Sequence, residues 1–223
     1  GQNGLSPKRL NFVGFHIYSG SQNLRTESIM ETQTKTCELA IELGASAPGP
    51  VELLNIGGGF GIPYFPGEQP LDIGELRVHL RQLHADVSRK LPEARLTIEL
   101  GRYLVGPCGV YVCRISDKKI SRGKTFRITD GGLHHHLAAS GNFGQVIRKN
   151  SPVSIGNKVA SDERETASVV GPLCTPLDLL ANEMELARAE IGDLAVVFQS
   201  GAYGYTASPL GFLSHPAPKQ IVV

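Results

Sequence analysis

The stretch "LLNIGGGFGIP", residues 53–63, joins an apolar run to a cluster of glycines. Leu53 to Ile56 have the length and character of a buried strand. A glycine backbone can approach a ligand closely and can adopt positive φ, so the stretch predicts a strand followed by a ligand-binding loop. The spacing matches neither a nucleoside-triphosphate loop nor a dinucleotide fingerprint, and a small phosphate-bearing cofactor fits better. A tight strand-to-helix turn explains the glycines about as well.

The elements on either side of this stretch alternate. The pattern predicts a strand and loop over Leu10–Ser21, a helix over Arg25–Gly44 with Thr26 as its N-cap, a helix over Ile73–Leu91 and a strand over 94–103. Alternation of this kind indicates parallel βαβ units. Functional loops in such folds follow the carboxyl ends of the strands, which here read "HIYSGSQ", "IGGGFG" and "ELGRY".

The pattern changes after Gly106-Pro107. Residues 109–120 and 124–132 predict a hairpin with a basic turn at 121–123, and residues 165–174 and 193–204 predict further strands. One short helix is predicted between those strands, at about Leu177–Ala189. We therefore expect an α/β region over residues 1–105 and a mostly antiparallel β-domain over residues 106–223.

Composition narrows the class of partner and compartment. The 22 Lys and Arg against 21 Asp and Glu give a net charge of +1, which argues against a nucleic-acid partner. Four cysteines without a CxxC pair indicate reduced thiols and a cytoplasmic protein. Neither a signal peptide nor an apolar run of about 18 residues is visible, so no membrane span is expected.

Several candidate site residues have ordinary structural explanations when each is taken alone. Glu99 and Arg102 could face a cleft and a phosphate, or form a surface ion pair. Cys174 could be a proton donor with Asp178 nearby, or a small buried hydrophobe. Tyr203, in "SGAYGYT", could line a cleft or pack in the core.

The run His134-His135-His136 invites the prediction of a metal site. Adjacent residues of an extended segment point to opposite faces, so three successive histidines cannot easily share one ion. We expect no metal site.

The motifs are more specific in their order than singly. HxxxGSQ, GGGFG, E-x-G-R-Y, D-G-G, G-P-x-C-x-x-x-D and G-A-Y-G follow one another, and nearly the whole chain is covered. In this order the chain resembles the fold type III pyridoxal-phosphate decarboxylases, which include ornithine, arginine and diaminopimelate decarboxylases. "GFHIYSGSQNL" is most similar to the branch associated with exosortase or carrier-protein gene clusters. The resemblance implies the C-terminal part of a (β/α)8 TIM barrel followed by the family's β-domain.

The resemblance also implies a role for each motif. Gly57, Gly58 and Gly59 resemble the backbone cradle for the phosphate of pyridoxal 5'-phosphate. Its other phosphate contacts would be Ser21, Gly101, Arg102 and Tyr203. Glu99 resembles the carboxylate that pairs with the pyridine nitrogen, and Cys174 the thiol that reprotonates the carbanion left by CO2. In the family the Cys174 segment reaches the neighbouring subunit's site, which implies a homodimer with shared active sites.

Three departures bear on the substrate. Tyr18 stands where relatives carry the stacking histidine, and His16 lies two residues earlier, so either could line the site. Thr175 replaces an acidic residue that grips the substrate's distal amine, which argues against ornithine, arginine and lysine. The stretch after Asp130 lacks the Arg-Pro that holds a distal carboxylate. Together with Asp178 as a substrate contact, this favours an unusual small amino acid or an aminoacyl group on a carrier protein.

The largest departure is the absence of the family's Schiff-base lysine context. Lys8, Lys35, Lys90, Lys118, Lys119, Lys124, Lys149, Lys158 and Lys219 all lack it. We therefore expect a fragment that is inactive alone, derived from a decarboxylase. The alternatives are an inactive decarboxylase-like regulator and a pyridoxal-phosphate racemase.

Overall fold

The computed structural model describes residues 10–143, 145 and 147–223. The chain forms two compact units. The first unit ends at Gly101 and omits Tyr64–Glu68, which belong with Arg102–Val223 in the second unit. The sequence-based division at residue 105 lies four residues beyond this one.

The first unit alternates strands and helices. Its described strands are β1 (Gly14–His16), β2 (Leu53–Gly58) and β3 (Arg95–Glu99), which form a parallel sheet in the order β1-β2-β3. The helices are α1 (Thr26–Gly44) and α2 (Ile73–Lys90). The predicted βαβ arrangement is therefore confirmed, and within the strand and loop predicted over 10–21 the strand is three residues long.

One face of this sheet builds the core of the first unit. Successive residues of a strand point to opposite faces. Leu54 and Ile56 of β2 pack with Cys37 and Ala40 of α1, and α2 adds Leu83 and Val87 to the same cluster. The opposite face carries His16, Asn55, Thr97 and Glu99, and the ladder aligns His16 with Asn55 and Asn55 with Thr97.

The two helices begin differently. Asp72 is the N-cap of α2, and its Oδ1 accepts a hydrogen bond from the Glu75 N–H at 3.0 Å. The prediction that Thr26 caps α1 is wrong, because Thr26 is its first helical residue and Arg25 occupies the N-cap position without a side-chain bond. The Thr26 hydroxyl instead accepts from the Asp72 N–H at 3.3 Å.

The second unit contains a six-stranded sheet among its described residues, in the order β6-β9-β4-β5-β7-β8. A five-residue helix, α3 (Gly101–Val105), begins where the chain passes from the first unit to the second. The strands are β4 (Tyr111–Ser121), β5 (Lys124–Thr129), β6 (Val153–Ile155), β7 (Arg164–Val170), β8 (Leu179–Ala187) and β9 (Leu194–Val197). All pairs are antiparallel except β5 with β7, which confirms the mostly antiparallel prediction.

The predicted hairpin is confirmed in detail. Ser121 pairs with Lys124, which leaves Arg122 and Gly123 as a two-residue turn. Both have positive φ, 51° and 77°, the combination that suits the right-handed twist of the flanking strands.

The helix predicted over Leu177–Ala189 is wrong, because this segment is strand β8, paired antiparallel with β7. Its Ala, Glu, Met and Leu residues favour a helix locally. Two apolar pairs, Leu180-Ala181 and Leu186-Ala187, lie in the core of the sheet. The ladder between β7 and β8 is irregular between these pairs, where Glu183 has a φ of 44°, so the strand departs from strict alternation and buries both.

None of the helices in the described part of the chain is long and apolar enough to span a membrane.

Candidate functional site

Polar side chains of the first unit lie together at the carboxyl ends of its strands. Glu99 ends β3, and both the Glu99 and His16 side chains are slightly more than half exposed. The His16 Nε2 lies 3.4 Å from the Glu99 Oε2, so a protonated imidazole would form an ion pair there. A carboxylate at this position can hold a positively charged ring nitrogen of a ligand.

Asn55 joins Glu99 to the glycine loop. Its Nδ2 donates to the Glu99 Oε1 at 2.8 Å, and its Oδ1 accepts from the Gly57 N–H at 2.8 Å. Asn55 is buried, with 8% of its surface exposed. Sequence reasoning missed this residue, although a polar residue inside the apolar run "LLNI" is the signal that could have found it.

Close approach of neighbouring backbones requires the glycines of the loop. A Cβ at Gly58 would lie 1.6 Å from the carbonyl oxygen of Glu99, and one at Gly59 would lie 2.3 Å from that of Gly20. Gly57 and Gly59 have φ of 71° and 82°, the region that favours glycine. The loop therefore lies between the segments that follow β1 and β3.

A cavity of about 330 Å³ lies beside this loop in the first unit. Its lining includes Ser21, Gly58 and Gly59, so the structure brings these predicted residues together. Gln33 of α1 also lines it, and its buried Oε1 has no hydrogen-bond partner among the described residues. The volume lies in the range that small-molecule ligands occupy.

Tyr18 lies beyond β1, on the other flank of the loop. Its Cα would be 3.3 Å and its Cδ2 3.7 Å from a Cβ at Gly57, and 61% of its surface is exposed. His16 lies in β1 against Glu99. Both remain candidates for stacking on a ligand ring.

Arg102 and Tyr203 meet in the second unit. The Arg102 guanidinium lies over the Tyr203 ring at 4.9 Å and over the Tyr64 ring at 5.7 Å, both within cation–π range. Tyr203 has a φ of 58°, uncommon for a residue other than glycine. Burial raises the pKa of Tyr64, and the Arg102 charge opposes that rise. Sequence reasoning missed Tyr64, because no local pattern distinguishes it from an ordinary core tyrosine.

The loop over 171–178 presents Cys174 at the surface. Cys174 is an exposed free thiol rather than a buried hydrophobe. The loop is closed by internal hydrogen bonds, from the Thr175 N–H to the Leu173 carbonyl at 2.8 Å and from the Leu177 N–H to the Thr175 Oγ1 at 3.3 Å. The function of Cys174 as a proton donor stays a prediction.

Asp178 lies at the base of the same loop and is buried, with 3% of its surface exposed. Its two oxygens accept from the Leu133 N–H at 2.6 Å and the Leu173 N–H at 2.9 Å. A Cβ at Gly132 or Gly171 would lie 2.2 Å from one of these oxygens. The geometry thus gives Asp178 a structural function, and its predicted substrate contact stays a prediction.

The three histidines form a turn rather than the extended segment we expected. The His135 and His136 N–H groups both donate to the Gly132 carbonyl, and His134, His135 and His136 are all buried. The His135 ring contacts the Tyr111 hydroxyl and the Pro216 carbonyl, and His136 Nε2 lies 2.9 Å from the Ser200 Oγ. Within the described part of the chain, no group of three or more His, Cys, Asp or Glu side chains could hold a metal ion.

The described lysines of the first unit lie on its helices rather than at the polar strand ends. Lys35 and Lys90 are on α1 and α2, and Lys35 pairs with Glu31 at 2.6 Å. In the second unit Lys118, Lys124 and Lys158 pair with acidic residues, and Lys149 lies over the Phe65 ring. Lys8 lies outside the described residues.

The chain is similar to known proteins along most of its length. The family described as "Pyridoxal-dependent decarboxylase, C-terminal sheet domain" matches residues 15–201. The L-glutamyl-[BtrI acyl-carrier protein] decarboxylase of Niallia circulans is 40% identical over 95% of this chain and 50% of its own length. The 2-[(L-alanin-3-ylcarbamoyl)methyl]-2-hydroxybutanedioate decarboxylase of Staphylococcus aureus is 29% identical over 97% of this chain and 54% of its own.

A solved structure shows the same fold. The diaminopimelate decarboxylase of M. jannaschii, in complex with L-lysine, has a TM-score of 0.76 at 24% identity, over 91% of this chain and 45% of that one. The chain thus spans about half the length of the relatives that it matches. With the family match covering residues 15–201 and the fold agreeing, the chain belongs to the pyridoxal-dependent decarboxylases, as their C-terminal portion.

Proposed function

We propose that the protein containing this chain catalyses pyridoxal-phosphate-dependent decarboxylation of an amino acid or aminoacyl substrate. One observation carries the proposal beyond family membership. The Glu99 carboxylate and the glycine loop are held together by Asn55, at the strand ends where cofactors bind in such folds. This joins a phosphate cradle and a partner for a protonated ring in one unit.

The residues of the first unit fit the cofactor. The backbone of Gly57–Gly59 offers a cradle that any Cβ at Gly58 or Gly59 would disrupt, and Ser21 and a cavity of about 330 Å³ lie beside it. Glu99 would pair with the pyridine nitrogen, while His16 or Tyr18 would stack on the ring. When bound, the cofactor supplies the electron sink that stabilises the carbanion left by CO2.

Gly101, Arg102 and Tyr203 are the remaining proposed phosphate contacts. The stack of Arg102 on Tyr203 supports this assignment, because a guanidinium held by an aromatic ring is a preorganised cation.

The proposed proton donor is Cys174. Its exposed thiol on a hydrogen-bonded loop supports that role, and Asp178 supports the loop from below. We further propose that the loop serves the site of a second copy in a homodimer. The free thiols of the described residues support a cytoplasmic location.

The proposed substrate is an aminoacyl group on a carrier protein. The neutral Thr175 beside Cys174 argues against a distal cation on the substrate. The Niallia circulans relative is a decarboxylase of an L-glutamyl group on an acyl-carrier protein, by its name. A free small amino acid is the other substrate class to be compared.

Binding of pyridoxal 5'-phosphate to this chain tests the cofactor assignment. Titration followed by absorbance should show saturable binding. Gly58→Ala should weaken it by at least about tenfold, because the new Cβ would lie 1.6 Å from the Glu99 carbonyl and the loop must shift. Gly49→Ala is the matched control, because a Cβ there meets nothing within 4 Å, and it should bind as the wild type does. Equal affinity of the Gly58 variant would contradict the proposed cradle.

Borohydride reduction with intact mass then tests the lysine assignment. Because Lys35 and Lys90, the described lysines of the first unit, lie on helices and not at the strand ends, we expect binding without a reduced covalent adduct. A stable adduct would identify a lysine that substitutes for the missing one. Failure of the wild-type chain to bind the cofactor would contradict the assignment of Gly57–Gly59 and Glu99 within this chain.

The reaction is tested by CO2 release from free amino acids and from an aminoacyl carrier protein, using the protein that contains this chain. The proposal expects release from the carrier-bound substrate. In deuterated water the product should carry deuterium on one face only, and Cys174→Ala should lose that preference. Racemised substrate without CO2 would support a racemase instead, and no turnover would support the inactive homologue.

A further inference from the structure

Asn55 occupies an unusual position for an amide. It lies in the middle strand of the parallel sheet, is 8% exposed, and has apolar neighbours Leu54 and Ile56 on either side in the chain. Those neighbours point into the helix-covered core, so Asn55 points to the polar face with His16 and Thr97. A buried amide on a central strand is costly unless both of its polar atoms are satisfied.

The hydrogen bonds determine which way the amide faces. The Gly57 backbone N–H can only donate, so the atom 2.8 Å from it must be the Asn55 oxygen. The NH2 group is therefore the atom that faces the Glu99 Oε1 at 2.8 Å, and it can only donate. One side chain thus couples a backbone donor of the loop to a carboxylate on the next strand.

We propose that Asn55 is a positioning residue, which fixes the Glu99 carboxylate as a hydrogen-bond acceptor and ties it to the glycine loop. The inference rests on the proposed function of Glu99 as the partner of a cofactor nitrogen. Asn55 must accept a hydrogen bond from the Gly57 N–H and donate one to the Glu99 carboxylate at the same time. Neither a carboxylate nor an apolar side chain can do both.

The amide of Asn55 is uncharged, and this property is needed as much as its hydrogen-bonding geometry. An aspartate at this position would keep the contact with the Gly57 N–H but would oppose a second carboxylate to Glu99 at hydrogen-bond distance. Two carboxylates so close cannot both ionise freely, so the charge available at Glu99 for a ligand would fall. Among the residues that the structure describes, His16 also faces Glu99, with its Nε2 at 3.4 Å from the second carboxylate oxygen.

A double-mutant cycle separates this role from general packing. The variants are Asn55→Asp, Glu99→Gln and the two combined, and stability is measured as the thermal midpoint at pH 8. Asn55→Asp should lower the midpoint by about 5 °C, since it opposes two carboxylates. The combined variant should recover most of that loss, because the amide introduced at position 99 can donate to the new carboxylate. A combined variant as unstable as the sum of the single ones would overturn the proposal, as would an Asn55→Asp variant as stable as the wild type.

Asn150→Asp is the matched control. Asn150 likewise donates through Nδ2 and accepts through Oδ1, but both contacts are to the backbone of Asn182, at 2.8 Å. Its change should show no coupling to Glu99→Gln.

Ligand affinity gives a second readout that a merely structural residue would not produce. Asn55→Asp keeps the Glu99 side chain but replaces the donor that holds its Oε1 with a second carboxylate. We expect the affinity of this variant for pyridoxal 5'-phosphate to be about tenfold below that of the wild type. Its affinity for inorganic phosphate should stay within about twofold, since the contact to Gly57 is kept. Wild-type cofactor affinity in Asn55→Asp would contradict the positioning role.

The two readouts fail separately. If the wild-type chain does not bind pyridoxal 5'-phosphate, the proposed cofactor site of this chain is wrong. The stability cycle still decides whether Asn55 holds Glu99.

Discussion

Asp178 illustrates how an acidic side chain in a distinctive motif can serve the backbone instead of a ligand. Both oxygens accept backbone N–H groups, from Leu133 and Leu173, in a pocket that only glycines at 132 and 171 leave open. Gly132 of the D-G-G motif, Gly171 of the G-P motif and Asp178 therefore lie together at the base of the loop that carries Cys174.

We predict that Asp178→Ala destabilises the second unit by about 3 kcal/mol, because two buried N–H groups lose their acceptors. Urea unfolding followed by tyrosine fluorescence measures it, since five of the six tyrosines lie in the second unit. Asp162→Ala is the control, because Asp162 is exposed. A change of less than about 1 kcal/mol would contradict a structural role for Asp178.

At the scale of elements, short-range signals located the ends of α2 and the hairpin turn, whereas β8 escaped them. The spacing of apolar residues predicted a helix over Ile73–Leu91, and the observed helix spans Ile73–Lys90 with Asp72 as its N-cap. The β8 segment has a helical composition, and pairing with β7 together with burial of Leu180 and Leu186 outweighs it. Helix propensities differ by only a few tenths of a kcal/mol per residue, less than one buried leucine contributes.

We predict that Asp72→Ala lowers the stability of the first unit by about 1 kcal/mol, through loss of the bond to the Glu75 N–H. Asp72→Ser should retain most of the stability, because serine is also a good N-cap. Amide hydrogen exchange in the first turn of α2 measures both. Equal exchange in the Ala and Ser variants would exclude a capping contribution.

At the scale of the whole molecule, each unit has its own core and its own polar cluster. In the second unit, burial lowers the pKa of His136 to about 4, and burial together with the charges of His135 and His215 lowers that of His134 to about 4. The His136 Nδ1 accepts from the Ala139 N–H at 3.1 Å, so protonation there would oppose a donor. The His134 and His136 rings are therefore neutral in the folded protein at pH 7.

We predict that the second unit loses stability on acidification. Folded pKa values below the unfolded value of about 6.5 mean that the unfolded chain binds more protons, so the stability is complete above pH 6.5 and is lost as pH falls toward 4. His136 alone should account for roughly 3 kcal/mol at the acid end of this window. Urea unfolding at pH 7 and pH 4.5, followed by tyrosine fluorescence, measures the loss.

The substitution His136→Asn tests the source of that loss. An asparagine oxygen can still accept from the Ala139 N–H but does not titrate, so the pH dependence should become shallower, with His134 accounting for the remainder. His84→Asn is the control, because His84 is exposed on α2 in the first unit. An unchanged slope in His136→Asn would contradict the assignment.

The sequence by itself determined the local order of this protein. Periodicity predicted α1, α2 and the parallel strands, and glycine chemistry predicted the loop at 57–59. The pattern of the two flanking strands predicted the basic turn at 121–123, and the order of the motifs predicted the family. Each of these features depends on residues close together in the chain, because backbone preferences and the spacing of apolar side chains can be inferred from neighbouring residues.

Only the tertiary structure decided the rest. It made 179–187 a strand, buried Asp178 and the three histidines, and joined Asn55 to Glu99, which is 44 residues away. These outcomes depend on which distant backbone groups and apolar surfaces meet. The free energy of burying a polar group is set by its partners, and a single chain segment does not contain them.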